Sequence, residues 1–139
     1  MDLRQLTEHL TVSPQITPDD LRPIAEAGFT TVICNRPDAE NPTALHAEFM
    51  AAKARELGLE FHYLPISHQG MSPDQIAKQA ELVAQSAGPV VAYCRSGTRC
   101  TYLWALGQAG KKQVAEILSV AASAGYDLSG IAPMLGGNG

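Results

Sequence analysis

One stretch of this 139-residue chain, Val90–Thr101 (VVAYCRSGTRCT), carries the residue types of a nucleophilic catalyst. Cys94 follows a β-branched apolar run that is typical of a buried strand. The backbone N–H groups of a glycine-containing loop, together with those of the helical turn after it, converge on one point and bind an anion there. We therefore predict an anion-binding loop around the Cys94 sulfur, formed by Arg95, Ser96, Gly97 and Thr98.

The chemistry expected of this loop is that of an activated thiolate. A helix N-terminus and the cations Arg95 and Arg99 favour the thiolate over the thiol, which lowers a cysteine pKa from about 8.5 into the range of about 3.5–7.5. Arg99 is predicted to hold two oxygens of a tetrahedral anion with its fork of donors. Cys94 is therefore the predicted nucleophile and Arg99 its catalytic partner, directed at a small anionic substrate. The alternative is a small buried cysteine with a surface arginine.

The elements that must position this loop alternate along the chain. Apolar strand patterns cover residues 30–34, 59–66 and 89–93, and helical patterns lie between and after them. Such alternation predicts an α/β fold with four or five mainly parallel strands, flanked on both faces by helices. Ligands bind such sheets at the carboxyl ends of the strands. We therefore expect residues 34–42, 67–71 and 94–99 to meet at one edge.

Three further residues at that edge are candidates for supporting roles. Asp38 would pair with Arg95 or Arg99, or serve as a general acid. Arg36 would add positive field or pair with Asp38, and His68 would act as an acid or contact the substrate. The competing interpretation for Asp38 and its neighbour Glu40 is a solvated acidic loop that caps the next helix.

Cys34 and Cys100 are candidate resolving thiols, which would form a disulfide with Cys94 or accept its persulfide. The alternative is that both are small buried residues. The four histidines and three cysteines never show metal-ligand spacing, so we predict neither a metal nor another cofactor.

Composition narrows the class of protein. Hydrophobic residues make up 45% of the chain and charged residues 17%, the net charge is −4, and no basic stripe is present, which argues against nucleic acid as a partner. No apolar run reaches the roughly 18 residues that span a bilayer, and the N-terminus lacks the apolar region of a signal peptide. The sequence thus predicts a cytoplasmic protein with one domain over residues 1–139. Its core would run from about residue 5 to 125, followed by a frayed C-terminal tail.

The segment at residues 93–99, YCRSGTR, resembles the rhodanese active-site loop Cys-x-x-Gly-x-Arg. It also resembles the protein-tyrosine-phosphatase signature His-Cys-x5-Arg, although with a shorter loop. The order strand, NRPDAE, helix, strand, PISHQG, helix, strand and cysteine loop is similar to a dual-specificity-phosphatase fold. Together these features resemble the phosphatase-like domain of bacterial beta-lactamase-hydrolase-like proteins, whose members are also labelled sulfur transferases. The resemblance implies a phosphatase-like fold with phosphatase or sulfurtransferase activity.

The residues that depart from the phosphatase pattern favour sulfur transfer over phosphate-ester hydrolysis. Four residues rather than five separate Cys94 from Arg99, and Tyr93 replaces the phosphatase histidine. A cysteine stands where the hydroxyl residue after the arginine is expected. The position at which phosphatases usually have the general-acid aspartate falls on or near His68 in this sequence. The nearest acid is Asp74.

Ester hydrolysis needs an acid to protonate the leaving alkoxide, whereas sulfite or a stable thiolate leaves a sulfane sulfur without a proton. The leading prediction is therefore a sulfurtransferase that carries a persulfide on Cys94. It would take sulfur from thiosulfate or a persulfide and pass it to a thiol acceptor. Two alternatives stay open: a phosphatase that cleaves a phosphate ester through a phosphocysteine, and a non-catalytic redox-sensing or anion-sensing module.

Overall fold

The computed structural model describes residues 1–67 and 69–136. In these ranges it contains five strands, β1 Arg4–Gln5, β2 Leu10–Ser13, β3 Thr31–Cys34, β4 Glu60–Tyr63 and β5 Val90–Tyr93. The same ranges hold six α-helices, α1 Leu21–Glu26, α2 Ala47–Glu56, α3 Pro73–Gln85, α4 Thr98–Gly107, α5 Val114–Ser123 and α6 Ala132–Leu135. Short 3-10 turns occupy Pro18–Asp20, Asp38–Glu40, Thr43–Leu45 and Ser129–Ile131. The predicted α/β class is confirmed.

The strands form one sheet in the order β1-β2-β5-β3-β4. β1 runs antiparallel to β2, and every other neighbouring pair is parallel. The mainly parallel sheet predicted from the sequence is therefore confirmed. β5 lies at its centre, between β2 and β3, so the loop that follows β5 starts at the middle of the carboxyl edge.

Two apolar clusters cover the two faces of the sheet. On one face, Val90, Ala92 and Cys94 pack with residues of α4, α5 and α6. On the other face, Val91 and Tyr93 pack with residues of α1 and α2. The alternation follows from the pleat, which points successive side chains to opposite faces.

From the spacing of apolar residues alone, Leu45, Phe49 and Ala52 are predicted to form the inner face of the helix between β3 and β4, but the structure buries other residues of α2. Its buried residues are Ala47, Met50, Ala51 and Ala54, and Phe49 is 47% exposed. Small alanines let the helix approach the sheet closely, and they carry a weaker hydrophobic signal than the phenylalanine that faces solvent.

The C-terminal segment corrects a prediction. Residues from Tyr126 onward were expected to fray, but Tyr126, Leu128 and Leu135 are buried in the core. The reason is that Leu128, Ile131 and Leu135 are spaced three or four residues apart and form one apolar face. Residues 137–139 lie outside the described part of the chain.

No helix within the described ranges is long and apolar enough to cross a membrane.

Candidate active site

Cys94 lies immediately after the central strand and is buried, whereas the next two residues, Arg95 and Ser96, are exposed. Its backbone N–H donates to Ser13 O (3.3 Å), and Gln15 N–H donates to Arg95 O (3.2 Å). The chain that follows β2 therefore holds the first residues of the cysteine loop in place.

The loop turns at Gly97 and becomes α4. Gly97 has φ of +90°, in the left-handed region that favours glycine. Its N–H donates to Cys94 Sγ over 3.1 Å. Thr101 reinforces the turn, because both its hydroxyl (2.8 Å) and its N–H (3.0 Å) donate to Gly97 O. The sequence therefore wraps backbone donors around the sulfur, as an anion-binding loop requires.

These donors make Cys94 an acidic thiol. A hydrogen bond from the Cys100 thiol, the largest cause, and N–H donors of Cys100, Gly97 and Arg99 lower the pKa of Cys94 to about 6, against the opposing effect of burial. A hydrogen bond to the charged form stabilises that form. At neutral pH the Cys94 sulfur is therefore mainly a thiolate.

Cys100, on the first turn of α4, is fully buried in the same apolar cluster as Cys94. Burial, and then its hydrogen bond with Cys94, raises the pKa of Cys100 well above the usual value. The Cys100 thiol therefore stays protonated and donates a hydrogen bond to the Cys94 sulfur. It occupies the position where the phosphatase signature has a hydroxyl.

Cys34 lies on the other face of the sheet from Cys94. It is the register partner of Tyr93 in the sheet and packs in the cluster on the face opposite Cys94. Its thiol donates to Arg36 O (3.3 Å), and burial is the largest cause that raises its pKa. All three cysteines are free thiols. Of the two candidate resolving thiols, Cys100 shares a face with Cys94 and Cys34 does not.

Arg99 is held by Glu40. Nη2 donates to Glu40 Oε1 (2.7 Å), and Nη1 donates both to Glu40 Oε2 (2.9 Å) and to Ile66 O (2.7 Å). The largest cause that raises the pKa of Arg99 is its hydrogen bond with Glu40. Arg99 thus joins the loop after β3 to the segment after β4, which is the convergence expected from the fold class.

The geometry leaves Arg99 one free edge. A guanidinium has five N–H donors, and the contacts with Glu40 and Ile66 use three of them. The remaining two, on Nε and Nη2, lie side by side and have no partner among residues 1–67 and 69–136. This edge has the fork geometry that binds two oxygens of an anion.

Arg36 and Asp38 support this arrangement. Arg36 Nη2 donates to Glu40 O (2.9 Å), and its Nε contacts Glu40 Oε1 (3.4 Å). Asp38 Oδ1 accepts the N–H of Ala47 at the start of α2 (2.8 Å). The carboxylate that pairs with Arg99 is thus that of Glu40 and not that of Asp38. The NRPDAE motif contained the signal, because Glu40 is the second acid of the same short loop.

The remaining predicted residues make fewer contacts. The Arg95 side chain is exposed and has no hydrogen-bond partner within the described ranges. Ser96 Oγ donates to Thr98 Oγ1 (2.8 Å), which ties the exposed side of the loop together. His68 lies outside the described residues. Among those that are described, no group of three or more His, Cys, Asp or Glu is arranged to hold a metal.

The sequence of this chain matches a known protein family. Residues 2–111 match the family described as beta-lactamase hydrolase-like protein, phosphatase-like domain. The chain belongs to that family. A beta-lactamase hydrolase-like protein from Xylella fastidiosa (strain Temecula1) is 28% identical over 130 residues, or 92% of this chain. The chain spans about 30% of the length of that relative.

Solved structures show that the fold of this beta-lactamase hydrolase-like domain is shared with phosphatases. A candidate phosphatase from Neisseria meningitidis Z2491 is 35% identical, has a TM-score of 0.87, and aligns over 98% of this chain and 97% of its own. The core catalytic domain of the PP-IP phosphatase SIW14 from S. cerevisiae, in complex with citrate, is 14% identical. It has a TM-score of 0.72 and aligns over 95% of this chain and 81% of its own. Family and fold are therefore those of phosphatase-like enzymes.

Proposed function

We propose that this domain is a cysteine-dependent sulfurtransferase in which Cys94 carries the transferred sulfur as a persulfide. The observation that carries the proposal is an acidic Cys94 thiolate with an arginine fork beside it and no acid assigned to a leaving group. Asp38 caps α2, Glu40 is bound by two arginines, and Asp74 is exposed in the first turn of α3. Of these three acids, Asp38 and Glu40 are thus already engaged by donors of the protein itself, which speaks against either as the general acid for an alkoxide.

The reaction follows ordinary thiol exchange. The Cys94 thiolate attacks the outer sulfur of thiosulfate, and the S–S bond of the donor breaks as the new S–S bond forms. Sulfite leaves with the bonding electron pair and needs no proton. An acceptor thiolate or cyanide then attacks the terminal sulfur and releases the Cys94 thiolate. Charge and atoms balance in both steps.

The cradle supports this chemistry in two ways. The N–H groups of Gly97, Arg99 and Cys100, together with the Cys100 thiol, stabilise negative charge on the sulfur before attack and after release. The free edge of Arg99 binds two oxygens of the sulfonate group. The four-residue spacing between Cys94 and Arg99 forms a small loop that suits a single added sulfur atom.

A phosphatase is the second candidate, because the family description and the Neisseria relative both carry that designation. The same thiolate would attack phosphorus and form a phosphocysteine. Loss of general-acid assistance would cost such an enzyme about 10²–10⁴ in rate on an alkyl ester. A redox-sensing role is the third candidate, with Cys100 as the resolving thiol because it lies on the same face as Cys94.

The test compares two assays on three proteins. Transfer of sulfur from thiosulfate to cyanide and hydrolysis of a phosphoserine peptide are measured for the wild type, Cys94→Ser and Cys34→Ser. Cys34→Ser is the matched control, because it removes a buried thiol from the opposite face. We expect sulfur transfer in the wild type and in the control, none in Cys94→Ser, and weak hydrolysis throughout. Vigorous Cys94-dependent dephosphorylation with no sulfur transfer would overturn the proposal in favour of the phosphatase.

A further inference from the structure

The peptide unit between Ser96 and Gly97 is held on both sides. Its carbonyl, Ser96 O, accepts a hydrogen bond from the hydroxyl of Tyr126 (2.9 Å). Its N–H, on Gly97, donates to Cys94 Sγ (3.1 Å). A trans peptide is planar and its C=O and N–H point in opposite directions. Whatever fixes the carbonyl therefore also aims the N–H at the nucleophile.

Burial, a backbone hydrogen bond and a contact with Arg4 hold Tyr126 in position. It is 7% exposed, and its N–H donates to Ala121 O at the end of α5 (2.9 Å). The Arg4 guanidinium lies over its ring, 5.1 Å from the centroid, and donates from Nη1 to Ala124 O (3.1 Å). Burial raises the pKa of Tyr126, so its hydroxyl stays protonated and acts as a donor throughout the pH range in which Cys94 titrates.

Gly97 and Tyr126 fit each other closely. A Cβ added at Gly97 would overlap the Tyr126 hydroxyl and lie 2.9 Å from Cζ. The left-handed φ at Gly97 already favours glycine, and the tyrosine fills the space where a side chain would stand. A side chain at Gly97 would therefore displace the Tyr126 hydroxyl from Ser96 O.

We propose that Tyr126 is a positioning residue, whose hydroxyl orients the Ser96–Gly97 peptide so that its N–H stabilises the Cys94 thiolate. This role rests on the proposed function only in so far as Cys94 is the nucleophile. Within the described ranges, the titratable groups that interact with Cys94 include Arg99 and Cys100 on α4 and Cys34 on β3. Replacing a neutral phenol by a phenyl ring changes the charge of none of them.

Tyr126→Phe removes the hydroxyl and keeps the ring. The rate of Cys94 alkylation is followed against pH, with Tyr102→Phe as the control, since Tyr102 is a partly buried tyrosine packed against the same core. We expect the alkylation midpoint of Tyr126→Phe to rise by about one pH unit and its rate at pH 6 to fall about fivefold, because the population of thiolate is smaller. The control should match the wild type. An unchanged midpoint in a folded Tyr126→Phe protein would overturn the proposal.

A second readout separates positioning from structural damage. Well above both midpoints, where Cys94 is fully ionised in either protein, kcat/KM for sulfur transfer in Tyr126→Phe should approach the wild-type value. A deficit that persists at all pH values would contradict positioning. If the wild type itself transfers no sulfur but the alkylation midpoint still shifts in Tyr126→Phe, the role of Tyr126 stands and the sulfurtransferase is rejected.

A measurement on the wild type covers the case in which Tyr126→Phe does not fold. The Gly97 amide proton, observed by NMR, should titrate with the same midpoint as Cys94 alkylation, because it is the donor to that sulfur. A Gly97 amide that does not respond to Cys94 ionisation would overturn the proposal without any variant.

Discussion

Glu40 binds Arg99 through both terminal nitrogens, at 2.7 and 2.9 Å, across 59 residues of sequence. Both side chains are mostly buried, with exposures of 21% and 12%. A paired carboxylate at this place fixes the plane of the guanidinium and leaves the Nε edge for a ligand. In the proposed reaction this pair sets which edge of Arg99 meets the anion, because Glu40 already occupies the end of the guanidinium.

Replacing Glu40 by Gln should weaken both stability and activity. The amide cannot accept from two arginine nitrogens as the carboxylate does, so we expect a loss of about 1–3 kcal/mol in the free energy of unfolding. We also expect kcat/KM to fall on the order of tenfold because Arg99 is less well oriented. Urea denaturation and steady-state kinetics check this. Glu56→Gln, which breaks an exposed pair with Lys53, is the control and should change neither quantity measurably.

Arg99→Lys should be more harmful than Arg95→Lys. Lysine has the charge but not the fork, so it cannot hold Glu40 and an anion at once. We expect Arg99→Lys to lose on the order of 10²-fold in kcat/KM, as when a donor to a developing charge is removed. Arg95 is exposed and its side chain makes no hydrogen bond within the described ranges, so its variant should lose less. The assignment would be wrong if Arg95→Lys were the more impaired of the two.

The Cys100 thiol should tune the acidity of Cys94. Because its hydrogen bond is the largest cause of the lowered Cys94 pKa, Cys100→Ala should move the midpoint of Cys94 alkylation to higher pH. Cys100→Ser keeps a donor at the same place and should stay closer to the wild type. Alkylation rates measured across pH, with mass spectrometry to identify the labelled residue, test the pair. Equal midpoints in the alanine and serine variants would speak against a hydrogen-bond effect.

Stability should depend on pH through Cys94. Its pKa is about 6 in the folded protein, lowered from 9.0, so between these values the unfolded chain binds a proton that the folded protein does not. The free energy of unfolding should therefore rise with pH in this window and fall as pH drops through 6, by at most about 1.4 kcal/mol per pH unit.

The measurement is urea denaturation of the wild type and of Cys94→Ser from pH 6 to pH 9. The variant retains Cys34 and Cys100, whose raised pKa values act in the opposite direction, so the difference between the two proteins isolates Cys94. A difference that stays constant with pH would contradict the lowered pKa.

The sequence allowed prediction of the elements with strong local signals. The residues Ser72, Pro73 and Gln75 follow the pattern of a capping box with proline at the first helical position, which predicts a helix start, and the structure has that box with α3 beginning at Pro73. The apolar runs before Cys34 and Cys94 are strands whose carboxyl ends meet. These features depend on neighbouring residues, which is why pattern and spacing were sufficient to find them.

Features that depend on distant partners were missed. Strand β2 was not predicted, because its four residues LTVS become buried only through pairing with β5. Gln79 on α3 is buried because its amide exchanges hydrogen bonds with that of Asn35 (3.0 and 3.1 Å), although a glutamine indicates a solvent face. The role of Tyr126 was missed for the same reason, since its partner Ser96 is thirty residues away.

The position of β5 at the centre of the sheet makes the acidity of Cys94 a reporter of folding. β5 pairs with β2, 80 residues earlier in the chain, and contacts of such sequence separation are slow to form. Before they form, Cys94 is an ordinary thiol that is hardly ionised at pH 6. A brief pulse of alkylating reagent at mildly acidic pH, applied during refolding, would therefore label Cys94 mainly in molecules whose cysteine loop has formed on the completed sheet, and the fraction labelled at Cys94 would follow the progress of folding.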